Sequence, residues 1–330
     1  MTEDEIVAAI ATLCRSSSFG TNRIAPNKLI LGIGDDAAIW QPSRSHRSAI
    51  STDMLVEGVD FTSEAMSPED AGWRAMAANL SDLAAVGARP VLATVALGFP
   101  QATAVEKILE LYRGLAACAA EYRIAIAGGD LSSAGAIAIA ITVVGEVRSS
   151  NVKTRSGGRP GDVLAVTAPL GSARAGLELT RRELHLSSEL ADAALQAFRR
   201  PSPRVAEGRF FATSRNVDAL IDISDGLATD VNRLAGASEC GAVVEDVPVS
   251  AAAAAVAAAL GEEGASFALA GGEDFELLVA IRPRAFKYLA SRYAARFGRE
   301  LIRVGSLRDE PGVIRNGTPL ERSGWDHFER

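Results

Sequence analysis

The stretch ALIDISDG (219–226) reads as an apolar strand that meets small residues and stops at a carboxylate beside glycine. The same pattern recurs in LILGIGDD (29–36), SAISTD (48–53), IAIAGGD (124–130) and ALAGGED (268–274). Each would put acids where a strand emerges into a loop, and loops on a rigid scaffold are where function concentrates. Glycine beside the acid allows close backbone approach. Any one of these is also explained as an ordinary turn, because Asp and Gly are the commonest turn residues. Five together ask for a shared cause. Gathered carboxylates raise one another's pKa, and a hard divalent cation relieves that repulsion. Asp with Ser and Thr hydroxyls is the oxygen set Mg²⁺ accepts, and Mg²⁺ usually arrives with phosphate rather than being caged by protein alone. The pattern predicts a magnesium site that holds a polyphosphate against an acidic protein.

Outward from these motifs the chain separates at RSSNVKTRSGGRPGD (148–162), a polar, Gly-rich stretch with the chemistry of a linker. The expected domains are 1–149 and 150–330. In the first, Ser67 caps a helix, Pro68 suits its first position, and Asp70 stands three residues after the cap. Trp73, Met76, Ala77, Leu80, Leu83 and Ala84 follow at helical spacing, and Gly87 and Pro90 end the helix. A second helix is expected over 103–122. In the second domain, DVLAVTA (162–168), VDALIDIS (217–224), SFALAGG (266–272), FELLVAI (275–281) and LIRVGSL (301–307) read as strands. Helices are expected near 172–182, 189–199, 203–214, 227–237 and 284–297 and through the alanine run 251–259, with a turn at Asn316-Gly317. The mixture is α+β or α/β, with two layers per domain.

Composition removes several classes. The chain has 330 residues, 48% of them hydrophobic, enough for two cored domains. No window offers the ~18 apolar residues of a membrane helix, and the start MTEDEIVAAI lacks the basic region of a signal peptide. Three separated cysteines, Cys14, Cys118 and Cys240, make neither a disulfide framework nor a zinc knuckle. A reduced, cytoplasmic setting is expected. A net charge of −7 argues against nucleic-acid binding.

Missing motifs narrow the chemistry further. No Gly-Lys pair occurs, so a P-loop is excluded, and the protein-kinase signature set is absent. Gly32-Ile33-Gly34 runs into Asp35-Asp36, which would repel a dinucleotide pyrophosphate. His46, His185 and His327 lie outside the acidic motifs. Asp82 and Asn79 fall on the side of the first helix away from its apolar stripe, a position that suits a solvated face as well as a functional one.

Taken together, the motifs resemble the thiamine-monophosphate kinases of the aminoimidazole ribonucleotide synthetase superfamily. The matching stretches, in family order, are GIGDDAA (32–38), STDMLVEGVDF (51–61), NLSDLAAVGARP (79–90), GGD (128–130), TRSGGRPGD (154–162), RPSPR (200–204), IDISDGLATD (221–230), GGEDFEL (271–277) and WDHF (325–328). The resemblance implies a two-domain fold with a C-terminal α/β sandwich. It also implies a homodimer in which the N-terminal sheets pair into a barrel. The implied reaction moves the γ-phosphoryl of ATP to thiamine monophosphate, the last step in making thiamine diphosphate. By position, Asp36, Ser51, Thr52, Asp53, Asp82, Asp130, Asp222 and Asp225 would be ligands to several Mg²⁺ ions, directly or through water. Tyr112, Gly129, Asp130, Arg155 and Ser224 would contact ATP, and Glu273 and Trp325 the thiamine phosphate. Asp60 stands where several members carry a substrate-facing His.

The implied chemistry suits the residues. A phosphate acceptor is already largely ionised at pH 7, its second pKa being about 6, so no poised base is required. Positioning and charge neutralisation are what two converging phosphates need. Arg155 would add a permanent cationic clamp, and Trp325 could stack on the cationic thiazolium. The alternatives are another ATP-dependent synthetase of the superfamily and a non-catalytic nucleotide-binding regulator. No nucleic-acid or membrane partner is expected.

Overall fold

The computed structural model describes residues 3–16, 29–31, 33 and 39–324. The chain divides into two compact units, Met1–Leu83 with Ala88–Ser150, and Asn151–Arg330 with Ala84–Gly87.

The first unit contains α1 (Glu3–Ser16), β1 (Leu29–Leu31), β2 (Ile39–Trp40), β3 (His46–Val56), α2 (Pro68–Ala85), β4 (Arg89–Phe99), α3 (Val105–Tyr122), β5 (Ala125–Ser133) and β6 (Ala138–Arg148). Its main sheet has the order β3-β6-β4-β5. Only the β4–β5 pair is parallel, and α3 is the crossover that a parallel pair requires. Helix α2 starts as its sequence predicts, with the Asp70 amide donating to the Ser67 hydroxyl at 3.1 Å. It differs in having no solvated face, since even Asn79 and Ser81 are fully buried. Glycines let α2 and α3 touch backbone to backbone. A Cβ on Gly72 would lie 2.0 Å from the Leu111 carbonyl oxygen, and one on Gly114 1.8 Å from that of Glu69.

The second unit contains β7 (Val163–Val166), α4 (Ser172–Arg181), α5 (Ser188–Arg199), α6 (Val205–Ala212), β8 (Val217–Ile223), α7 (Leu227–Ala237), β9 (Gly241–Val244), α8 (Ala251–Leu260), α9 (Gly264–Leu269), β10 (Glu276–Ile281), α10 (Pro283–Phe297), β11 (Ile302–Arg308), β12 (Val313–Arg315) and β13 (Thr318–Pro319). Seven strands form one sheet, β13-β12-β9-β11-β7-β10-β8. Strand β10 is buried along its whole length, as a strand covered on both faces must be. The alanine run forms α8, where Ser250 caps the amide of Ala253 at 3.1 Å. The expected turn is present between β12 and β13, with Asn316 and Gly317 both at positive φ.

Two expectations fail. SFALAGG is not a strand: residues 264–269 are the helix α9, with Phe267 buried against α4 and α8. A short apolar run has no periodicity to separate the two states, and here burial of Phe267 selects the helix. Nor do Asp53 and Asp130 end their strands. Both lie inside them, β3 continuing to Val56 and β5 to Ser133. Each of these is an edge strand, where a half-open side tolerates a carboxylate.

Candidate active site

In the first unit the acidic motifs meet where β3 lies against α2. Ser51 and Asp53 share one face of β3 by the two-residue alternation of a strand. Asn79 and Asp82, three apart, share one face of α2. The Ser51 hydroxyl hydrogen-bonds the Asp82 carboxylate. The buried Asn79 side chain accepts the Asp53 amide at 3.0 Å and donates to the Ala75 carbonyl at 3.0 Å. Asp82 therefore has a fixed partner on the sheet and does not face solvent as a free helix residue would. Thr52 points to the opposite side of the sheet, bonded to Thr142 at 3.2 Å and to the Ile141 carbonyl at 2.9 Å.

Asp130 stands apart within this unit. Asp53 lies in the row Asp53-Ile141-Val95-Gly129, and Asp130 in the next row with Ala96, Ala140 and Met54. Three interstrand steps, roughly 14 Å, separate the two edges. Adjacent rows face opposite sides, and Asp130, Ala96 and Met54 are all exposed. The expected gathering of Asp53 and Asp130 in one magnesium site is not met inside a single chain. Tyr112 is 3% exposed on the packed face of α3 beside Ile108, Leu111 and Leu115. Burial pushes its phenol up, and this packing offers a nucleotide no surface. Asp60 accepts the Val56 amide at 2.7 Å, closing the turn after β3.

In the second unit, Asp222 is buried on β8 opposite Leu277, and Ser224 and Asp225 form the turn that follows. Gly226, at φ 108°, has no space for a Cβ, which would lie 2.8 Å from the Leu269 carbonyl. The turn is held from α7: Asp230 accepts the amides of Ser224 and Asp225, each at 3.1 Å. Arg233 then bridges Asp225 at 2.5 Å and Asp230 at 2.9 Å. Burial pushes the Asp230 carboxyl up to about 6, against the pull of Arg233. The Glu273 amide donates to the Ser224 carbonyl at 2.6 Å. The segment before β7 runs beside β8, with the Leu220 amide on the Thr154 carbonyl at 3.0 Å. The Arg155 carbonyl is held by Ser238 at 2.7 Å, which leaves the Arg155 side chain exposed.

Asp230, Arg233 and Asn79 organise these clusters and were assigned no role from sequence. Asp230 had a signal, since an acid in the first turn of a helix after Asp-Gly is placed to cap the preceding loop. Asp36 and Trp325 lie outside the described residues. Among the described residues no three His, Cys, Asp or Glu side chains gather closely enough to hold a metal alone. The donors in both clusters are oxygens, however, and a hard cation that completes its shell with water and phosphate fits them.

The model of the AIR synthase related protein N-terminal domain matches residues 34–147, and that of the C-terminal domain matches 159–284. These two domains set the class. A thiamine-monophosphate kinase of Rhodopirellula baltica is 37% identical over 304 residues, 89% of this chain and 88% of its own. The crystal structure of thiamine-monophosphate kinase from Stenotrophomonas maltophilia K279a has a TM-score of 0.83 at 30% identity, covering 97% of this chain and 98% of that one. AaThiL complexed with AMPPCP and TMP has a TM-score of 0.77 at 30% identity, covering 87% and 89%. The chain belongs to the thiamine-monophosphate kinase family. No helix among the described residues is long and apolar enough to cross a membrane.

Proposed function

We propose that this protein phosphorylates thiamine monophosphate with ATP, giving thiamine diphosphate and ADP. The observation that carries this reading is the likeness, over most of both chains, to AaThiL complexed with AMPPCP and TMP. An oxygen of the acceptor phosphate forms a bond to the γ-phosphorus as the bond to the β–γ bridging oxygen breaks, and ADP leaves with that electron pair. That acceptor oxygen is ionised near pH 7. No residue need take its proton, and transfer is direct.

The chain's work is to bind, orient and balance charge. Ser51, Asp53 and Asp82 in the first unit and Asp222 and Asp225 in the second are the proposed Mg²⁺ ligands, joined by Asp130 and Asp36; the Thr52 hydroxyl, turned to the opposite side of the sheet, is left out of the set. Bound Mg²⁺ would neutralise the polyphosphate and polarise the transferred group. Gly129, Ser224 and the exposed Arg155 are proposed to hold ATP, with Glu273 and Trp325 on the acceptor. The Asp60 carboxylate already closes a turn, which argues for an indirect role at the acceptor.

The protein is further proposed to act as a homodimer through the open side of the β3-β6-β4-β5 sheet. Ile50 and Met54 point there, 70% and 60% exposed. Closing two such sheets into a barrel would set the β3 edge of one copy against the β5 edge of the other. That arrangement would bring Asp53 near the other copy's Asp130 and resolve their separation in one chain.

The reading is tested by incubating the protein with Mg-ATP and thiamine monophosphate and resolving the thiamine phosphates. Thiamine diphosphate should accumulate with ADP in equal amounts. Free thiamine should be a poor acceptor, since it offers a hydroxyl and no base is in place. Bound ATP with no diphosphate formed would rule the kinase out.

A further inference from the structure

The loop that enters β10 is fastened on two sides by three consecutive residues. Glu273 and Phe275 both have left-handed backbones, at φ 65° and 50°. Non-glycine residues seldom adopt this conformation, which strains the backbone. Their amides donate to the carbonyls of Ser224 (2.6 Å) and Ile223 (2.9 Å), where β8 gives way to the turn carrying Asp225. The side chain between them reaches the other way. Asp274 accepts the amide of Gly171 at 2.6 Å and that of Ala173 at 3.1 Å.

Those amides open α4, which has no cap of its own: Gly171 at its N-cap has no side chain, and a Cβ there would meet the Ala253 methyl at 2.9 Å. The free amides of a helix start need an acceptor, and a buried carboxylate answers both that need and the helix dipole. Two residues after Asp274, Glu276 is held by Arg204 and by the Thr167 hydroxyl at 2.6 Å, so β10 cannot slide. Gly272 presses so close to the turn that a Cβ would lie 2.8 Å from the Ser224 carbonyl. The loop is a rigid spacer between the start of α4 and the 223–226 turn, and the Asp274 side chain ties it to α4.

We propose that Asp274 is a positioning residue. By holding the start of α4 it keeps Glu273 and Phe275 in their left-handed conformations, and through their amides it fixes the turn that presents Ser224 and Asp225. Where it concerns turnover this rests on the kinase reading; the coupling between the segments does not.

The test compares the full chain with Asp274→Asn, which keeps the shape and one acceptor, and Asp274→Ser, which keeps one short acceptor. Amide exchange is followed in peptides covering 169–175, 222–227 and 271–277. All three segments should lose protection together in the variants while α1–α3 stay unchanged. Loss confined to 169–175 would reduce Asp274 to a helix cap and overturn the proposal. In the wild-type protein the three segments should also share one opening free energy, and three distinct values would overturn it even if neither variant folds. In the kinase assay, Asp274→Asn should raise KM for ATP about tenfold. In a Ser224→Ala background it should change that KM less than about threefold, because it acts through the turn that presents Ser224. Equal effects in both backgrounds would overturn that route. A wild type that makes no thiamine diphosphate would sink the kinase reading and leave the exchange result to decide the coupling.

Discussion

Asp274 bears its charge where burial pushes the carboxyl from an ordinary 3.8 up to about 7, with Glu276 adding repulsion and the amides of residues 171–173 opposing. A carboxyl raised in the folded state binds its proton more tightly there than in the unfolded chain. Stability contributed by this group therefore falls as pH rises from about 4 to about 7, and the penalty is complete above that. Urea unfolding at pH 5, 6, 7 and 8 should show the wild-type advantage over Asp274→Asn shrinking by roughly 2–3 kcal/mol. A widening advantage would contradict the assigned burial. At the other cluster, Asp82→Asn should lower turnover about a hundredfold at fixed Mg²⁺ and recover in part as Mg²⁺ is raised. Ser51→Ala removes one hydrogen bond to the same carboxylate and should cost about tenfold. Loss without any change in Mg²⁺ dependence would argue that Asp82 only braces β3. At this scale the sequence is generous with acids and silent on their partners. Asp53, Asp82 and Asp225 stand out in their motifs, but Asp274 binds an amide 103 residues away. No local spacing encodes a pairing of that range.

Helices that carry their own punctuation are legible, and α2 is the clearest case. Ser67, Pro68 and Asp70 mark its start, and that start is observed. Its apolar stripe did not reveal that the opposite side would also be buried under β3. The misread α9 has a different cause, because six apolar residues fit either state and only the tertiary slot of Phe267 decides. The acids inside β3 and β5 read as strand ends because the apolar run stops at them, in keeping with the scarcity of Asp in strand interiors. An edge position overrides that pattern in both, and at Asp53 the Asn79 side chain of α2 also takes the amide. The contact that sets α2 in place is itself testable. Gly72 and Gly114 face the partner helix's carbonyls at distances no methyl can occupy. Gly114→Ala should force α2 and α3 apart and destabilise the first unit by about 2–3 kcal/mol. Thermal unfolding would register this as a drop of several degrees. The KM values of the remaining folded protein should stay near wild type, since neither glycine touches the acidic crevice. An unchanged melting temperature would mean that the helices do not pack this closely.

The whole molecule poses a question that one chain cannot answer alone. Its first-unit sheet leaves Ile50 and Met54 in water and ends in two long edge strands, β3 and β5, a combination that isolated sheets avoid. The proposed dimer removes both liabilities and makes each acidic crevice a shared construction, with Asp53 from one copy and Asp130 from the other. Sharing has a signature that a purely structural dimer lacks. Asp53→Asn and Asp130→Asn should each be nearly inactive as pure proteins. After the two are mixed, unfolded and refolded together, half of the dimers should be mixed pairs, with both lesions in one site and the second site intact. A two-fold dimer of this kind should regain roughly a quarter of wild-type activity. Ile50→Asp should yield particles of 34.4 kDa in sedimentation, with activity lost in step. If the mixture stays inactive while the wild type sediments as a dimer, the site is complete within each chain. In that event the distance between Asp53 and Asp130 would assign them to different groups of the substrate.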